Sequence, residues 1–435
     1  MRIALVFCTI DDVFQRYPAG VFSLFESNPP LGLAAIGTIA KERHHAVRIF
    51  DPLLHHQDME ALLADILSFA PDLVGFACTS LNVAHSLACA RILKDRYHKL
   101  VCAGGIHVTL CQEELQRQQV FDFLIIGEGE EVFRDVLCTL EQGRPLSSLH
   151  RQGFRSCGDP APSGTAVLST VNQPLIDRSL MDLRAYKNRG ALLDEQPCYS
   201  LFSSRGCPFH CKFCSKPAYF KQYRERSIDH VLAEIHQLVD DEGAKAISFR
   251  EDNFTVHPKR LEAFCRRMME DFDGMLPWEC ESRAELPKTL LELMYRAGCR
   301  GIWCGVETVV PRWSRWIAKG LERKTVERFY HDCQEVGIRT GALFLFGFPE
   351  QTEEELEEDI SFAQHLPTVF SAFQCLAMFP GSLLSDYYAE HPERCAPVTA
   401  DTALALLPGK TAEEMIALER RINERIRSNR LDYHY

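Results

Sequence analysis

The chain has 435 residues, with 60 acidic and 48 basic side chains and a formal net charge of −12. At roughly 150 residues per domain, this length predicts two or three domains. The acid excess excludes a nucleic-acid wrapper, which needs cations to neutralise phosphates. With 46% hydrophobic and 25% charged residues, the composition is that of a soluble globular protein and excludes disorder as the main state.

The opening MRIALVF holds one arginine and a short apolar run. It lacks the apolar core and small-residue cleavage site of a signal peptide. No apolar run approaches the ~18 residues of a membrane span. A cytoplasmic protein is therefore expected. The chain has 18 cysteines, most of them scattered in apolar runs as small core residues. Only Cys207, Cys211 and Cys214 crowd together. In a reducing compartment such a trio reads as a metal site.

Short apolar runs at 2–7, 47–50, 73–77, 100–103 and 123–126 are expected strands. Helical patterns at 59–69 and 83–97 lie between them. Nearly unbroken apolar strands imply cover on both faces. The first domain, 1–140, is therefore expected to be a doubly wound, Rossmann-like parallel sheet with its ligand outside the carboxyl strand ends. Residues 141–195 read as a connector; the stretch from Cys157 to Thr165 is rich in turn formers.

A second series, over 196–390, places strands at 200–203, 246–249, 278–282, 301–305, 341–346 and 373–379. Ser227 is expected to cap one intervening helix, and Thr352 with Glu355 forms a capping box for another. Six β/α units suit a partial barrel and fall short of an eight-fold one. The remainder, 391–435, is expected to be a short helical tail with an amphipathic helix over 411–430.

Arg205-Gly206-Cys207-Pro208-Phe209-His210-Cys211-Lys212-Phe213-Cys214 follows the first strand of the second series. Three cysteine ligands on a four-iron, four-sulfur (4Fe–4S) cluster leave one iron open to an outside ligand. The alternatives are a zinc site completed by His210 or a distant residue, and three core thiols. Structural zinc usually pairs one such knuckle with a second, and core thiols do not normally sit among Gly, Pro, His and Lys.

The C-x-x-x-C-x-x-C loop, with aromatic Phe213 before its last cysteine, resembles the radical S-adenosylmethionine (SAM) superfamily. The resemblance implies a partial (β/α)6 barrel and an open iron that chelates the amino and carboxylate groups of SAM. It also implies reductive cleavage to methionine and a 5′-deoxyadenosyl radical, fed by an external one-electron reductant of flavodoxin or ferredoxin type. Phe249-Arg250-Glu251-Asp252-Asn253-Phe254-Thr255 resembles the family's F-x-D-D-x-F-T segment, which helps hold the methionine amino group. Glu251 stands where an aspartate is common, so either Glu251 or Asp252 serves. Arg283, after the third strand, is implied as a partner of the SAM carboxylate. Gly305-Val306-Glu307-Thr308 resembles a G-x-E-S segment, and Gly347-Phe348-Pro349 with Gln351-Thr352 resembles G-x-P-x-x-T.

The first domain carries glycine-rich turns after its fourth and fifth strands, and glycines at strand ends let a ligand approach the backbone. No G-x-G-x-x-G follows the first strand, so a dinucleotide is not expected. Thr79-Ser80-Leu81, Gly104-Gly105 with His107, and Gly127-Glu128-Gly129 resemble the cobalamin-binding domain that precedes one radical SAM subfamily. Asp-x-His-x-x-Gly, whose histidine ligates cobalt from below in methionine synthase-like proteins, is absent. The resemblance thus implies cobalamin without a histidine below the cobalt, and His107 as a polar contact at the nucleotide pocket.

Together the resemblances imply C-methylation of an unactivated carbon of a small natural-product or lipid-like substrate, by a 5′-deoxyadenosyl radical and methylcobalamin. A non-methylating oxidative cyclase or rearranging enzyme is the alternative. A methylthiotransferase would need further cluster cysteines near the N-terminus, and a cobalamin sensor would not need the cysteine loop.

Overall fold

The computed structural model describes residues 1–9, 29–156, 158, 163–186, 192–220, 222–398 and 402–428. The chain forms two compact units: Met1–Lys187 with Ala218–Lys221, and Asn188–Pro217 with Gln222–Tyr435.

In the first unit, β1 (Arg2–Val6), β2 (Ala46–Phe50), β3 (Leu73–Ala77), β4 (Leu100–Gly104) and β5 (Phe123–Ile125) run parallel. The sheet order is β2-β1-β3-β4-β5-β6. The last strand, β6 (Phe154–Ser156), pairs antiparallel with β5. Part of the stretch expected as a connector therefore extends this sheet. The turn-rich residues 157 and 159–162 lie outside the described residues.

Helices α1 (Leu31–Glu42), α2 (Met59–Ser68), α3 (Val83–Tyr97), α4 (Ile106–Leu110), α5 (Gln112–Gln118) and α6 (Gly129–Glu141) follow the strands. One core sets Val74, Phe76 and Val101 against Leu62, Ile66, Cys89 and Leu93 of α2 and α3. The other sets Ile3, Leu5 and Phe123 against Leu33, Val132, Phe133 and Val136 of α1 and α6. Burial on both faces is why these strands read as unbroken apolar runs. The order reverses at β1, so the carboxyl ends of β1 and β3 flank the switch-point crevice of a doubly wound sheet.

In the second unit, β7 (Cys198–Leu201), β10 (Ala246–Phe249), β11 (Trp278–Ser282), β12 (Cys299–Glu307), β13 (Arg339–Phe346) and β14 (Phe370–Cys375) form a parallel sheet in sequential order. Helices α8 (Ile228–Asp240), α9 (Pro258–Phe272), α10 (Lys288–Arg296), α12 (Arg323–Val336) and α13 (Glu353–His365) follow the successive strands, with a short α11 (Pro311–Trp316) before α12. This is the expected six-strand partial barrel. Ser227 caps α8, and Thr352 with Glu355 closes the capping box of α13.

The expected strand at 373–379 is broken. The backbone leaves β14, and Ala377–Met378 (β15) joins Cys395–Pro397 (β16) and Ala403–Ala405 (β17) in a small antiparallel sheet. Helix α14 (Leu383–Glu390) precedes that sheet's return. The segment beyond the barrel is thus more than a helical tail. Helix α15 (Ala412–Ser428) lies along β14. Asn423 accepts from Phe373 N and donates to Phe373 O, both at 2.9 Å, and Glu419 accepts from Cys375 N at 2.8 Å. Among the described residues, no helix is long and apolar enough to cross a membrane.

Candidate functional site

The cysteine loop springs from a two-stranded ladder. β8 (Ser204–Arg205) pairs antiparallel with β9 (Arg224–Glu225), with the short α7 (Lys216–Tyr219) between them, so the loop leaves and returns at one point. Arg260 donates to the carbonyls of Ser203 and Arg226 at 3.0 and 3.2 Å, pinning that base. The loop's middle is tied by its backbone: Lys212 N donates to Ile317 O at 2.9 Å, and Leu384 N donates to Lys212 O at 3.1 Å. Phe213 packs against the apolar cluster of Trp313, Ile317, Phe348 and Leu384. It anchors the loop in that core.

Cys207, Cys211 and Cys214 are half-buried and outside any disulfide. Burial pushes all three thiols up, Cys214 to about 11. The charges of Asp252, Glu307 and Arg283 act on them from the barrel's strand ends, and those of Lys216 and Lys319 from the segments beside them. Among the described residues, no three His, Cys, Asp or Glu side chains gather as ligands of one metal ion.

The two neighbouring carboxylates after β10 point to different places. Glu251 is 3% exposed. Its Oε1 accepts from Ser203 N at 3.2 Å and from the Ser203 hydroxyl, while Oε2 has no hydrogen-bond partner. Burial pushes its carboxyl up to about 7. Asp252 pairs with Lys216 at 2.9 Å, and its charge raises the Cys207 and Cys214 thiols. Asp252 is thus the carboxylate of this pair that faces the cysteine loop.

Glu307 closes β12 with φ +67 and forms an ion pair with Lys319 at 3.0 Å. Asp359, fully buried on α13, holds the same turn. Its carboxylate accepts from Val309 N at 2.7 Å and Thr308 Oγ1 at 2.8 Å. Arg283 donates to Lys319 O at 2.8 Å, pairs with Glu285, and lies 4.2 Å above the Phe209 ring. Neither Lys319 nor Asp359 belongs to any motif. Lys319 sits after α11 in a turn with Ala318 at φ +57, and nothing in its local text marks it.

In the first unit, Thr79, Ser80, Gly104, Gly105 and His107 gather at the carboxyl ends of β3 and β4. The Ser80 hydroxyl meets His107 Nδ1 at 2.9 Å, and the ring is 2% exposed. Asn82, fully buried and missed at the sequence level, clips the crevice. Its Oδ1 accepts from Thr79 N at 2.8 Å, and its Nδ2 donates to Ala77 O at 3.2 Å and Cys8 O at 3.4 Å. An asparagine just before a helix, beside a recognised motif, was the available signal.

The glycines divide by role. A Cβ on Gly105 would lie 2.7 Å from Cys78 O, and one on Gly127 2.4 Å from Ala166 O. Both positions have positive φ, +106 and +89. The chain's own backbone thus demands these glycines. Glu128 N donates to Ala166 O, and the Glu128 carboxylate accepts from Leu168 N at 3.0 Å. The Gly127-Glu128-Gly129 turn is therefore overlaid by the chain's own segment. Gly104, with only Ile125 near its missing Cβ at 3.6 Å, is partly exposed, as are Thr79 and Leu81.

The residues present fit the groups expected of them. Three half-buried thiols, with no fourth cysteine in the loop, suit a cluster that keeps one position open. Partly exposed hydroxyl and glycine positions at the carboxyl ends of β3 and β4 suit a group lying on strand ends.

The Radical SAM superfamily model matches residues 201–363, and the B12 binding domain model matches residues 20–137. An uncharacterized methyltransferase of Pyrococcus horikoshii is 29% identical over 394 residues, 89% of this chain and 83% of that protein. The anaerobic magnesium-protoporphyrin IX monomethyl ester cyclase of Rubrivivax gelatinosus is 26% identical over 81% of this chain and 65% of its own. In fold, the chain is similar to the radical SAM methyltransferase TsrM of Kitasatospora setae. The TM-score is 0.76 at 17% identity, covering 98% of this chain and 88% of that one.

Proposed function

Because the chain belongs to the cobalamin-dependent, methyltransferase-like radical SAM enzymes, we propose that it methylates an unactivated carbon of a small molecule. A natural product or lipid-like precursor is the substrate class. The observation that carries the reading is a three-thiol loop on a partial barrel, joined in one chain to a doubly wound unit with hydroxyl- and glycine-lined strand ends.

Cys207, Cys211 and Cys214 are assigned to the cluster, Asp252 and Arg283 to the polar ends of SAM, and Thr79, Ser80, Leu81 and Gly104 to cobalamin. When bound, these groups supply one-electron cleavage of SAM and a cobalt that carries methyl. The chain's own residues position them. Lys216 orients the Asp252 carboxylate, Asn82 fixes the Thr79 turn, and the backbone ties at Lys212 hold the cysteine loop. A flavodoxin- or ferredoxin-type protein is assigned as electron donor.

The likeness to the cyclase of Rubrivivax gelatinosus favours oxidative cyclisation as a second reading. The test is anaerobic reconstitution followed by turnover with methyl-labelled SAM on candidate substrates. A product heavier by one labelled methyl is expected; an unlabelled, ring-closed product would replace the proposal with the second reading. Cys211→Ala is expected to lose iron and SAM cleavage while keeping corrinoid. Intact cleavage would overturn the ligand assignment.

A further inference from the structure

The segment from Ile317 to Lys319 joins three strand-end elements of the second unit. Ile317 O accepts from Lys212 in the cysteine loop, Lys319 O accepts from Arg283 after β11, and Lys319 Nζ pairs with Glu307 at the end of β12. The turn is closed on itself: Lys319 N and Gly320 N both donate to Ser314 O, at 3.0 and 3.2 Å. The paired side chains are largely out of solvent, with Lys319 10% and Glu307 9% exposed. Gly305 makes room for them. A Cβ there would lie 2.2 Å from Glu307 Oε1 and 3.0 Å from Lys319 Nζ.

An ion pair this deep is held because each charge compensates the other's lost hydration. The Lys319 segment meets the cysteine loop on both sides of Cys211: Ile317 O takes the Lys212 N–H at 2.9 Å, and Lys319 O takes the Arg283 guanidinium that lies 4.2 Å above the Phe209 ring. A cluster held by three thiolates gains negative charge when it accepts an electron. A buried cation beside those thiolates favours the reduced form, and a buried carboxylate opposes it.

We propose that Lys319 is a positioning residue that raises the reduction potential of the cluster, with Glu307 as the partner that holds its ammonium at the base of the cysteine loop. The inference rests on Cys207, Cys211 and Cys214 being the cluster ligands.

The test is a redox titration with dithionite as one-electron donor, followed by electron paramagnetic resonance. It uses the reconstituted full chain without SAM or substrate, with iron and sulfide measured on each sample. Lys319→Met is expected to shift the midpoint to more negative potential, leaving a smaller fraction reduced at a fixed dithionite potential. Lys319→Arg, which keeps the charge, is expected to stay near the parent. Glu307→Gln is expected to shift the midpoint the opposite way, and it decides the matter where Lys319→Met does not assemble. A full cluster with an unmoved midpoint in Lys319→Met, or a more negative one in Glu307→Gln, would overturn the role of Lys319. A parent protein without iron and sulfide would instead overturn the cluster assignment, and this inference with it.

Discussion

Replacing Glu419 by glutamine is expected to stabilise the second unit at high pH and to do much less at low pH. Glu419 is 3% exposed on α15, and its carboxylate accepts from Cys375 N at 2.8 Å. Burial pushes its pKa from 4.5 up to about 7. An acid whose folded pKa is raised binds more protons folded than unfolded, so stability falls as pH rises through the window from 4.5 to about 7. A rise of about 2.5 units corresponds to about 3 kcal/mol once both states are ionised. Glutamine keeps an acceptor for Cys375 N and removes the charge. Urea unfolding of parent and Glu419→Gln at pH 5 and pH 8 measures the effect. The variant is expected to gain about 3 kcal/mol at pH 8 and about 1 kcal/mol at pH 5. Glu251 and Asp359, also pushed up to about 7 by burial, titrate in both proteins and cancel. An equal difference at the two pH values, or a less stable variant at pH 8, would refute the reasoning.

Asn82→Ala strips a fully buried clip of its bonds to Thr79, Ala77 and Cys8. It is expected to cost roughly 2–4 kcal/mol in unfolding of the first unit and to weaken corrinoid retention; parent-like values of both would count against it. Gly105→Ala forces a side chain onto φ +106 and against Cys78 O at 2.7 Å. A loss of ~2 kcal/mol or more is expected, with retention falling in step, and lost retention at unchanged stability would show that the ligand rather than the backbone demands this glycine. Asp359→Ala frees the Thr308–Val309 turn behind Glu307. It is expected to lower iron incorporation, with recovery in Asp359→Asn; full incorporation in the alanine variant would argue against that turn's importance.

Strand positions were legible because these strands are buried on both faces and bounded by turn formers. Leu73–Ala77 and Ala246–Phe249 stand as the apolar runs place them, and Trp278–Ser282 where the sequence puts a strand. The break after Cys375 was not legible, because Phe373 to Phe379 reads as one apolar run while Ala377 and Met378 leave β13 to pair with Leu404 and Ala403. The cysteine loop announced itself through spacing. The choice between Glu251 and Asp252 did not, since adjacent carboxylates at a strand end differ only in what lies across from them. Lys319 was invisible because its role comes from a turn that brings it back to Glu307, twelve positions earlier in the chain. Gly105 and Gly127 stood out in the sequence as strand-end glycines, but composition does not say whether a glycine yields space to a ligand or to its own backbone.

An incomplete barrel ends in a strand whose backbone is left open to pairing. At β14 that opening is filled by side chains: the Asn423 amide satisfies both polar groups of Phe373, as the backbone of another strand would. Helix α15 thereby acts as a decoy neighbour that takes the place of a seventh strand. A chain shortened to end before Ala412 would present β14 as a template for the same edge of another copy. Its characteristic failure would be intermolecular sheet growth and precipitation.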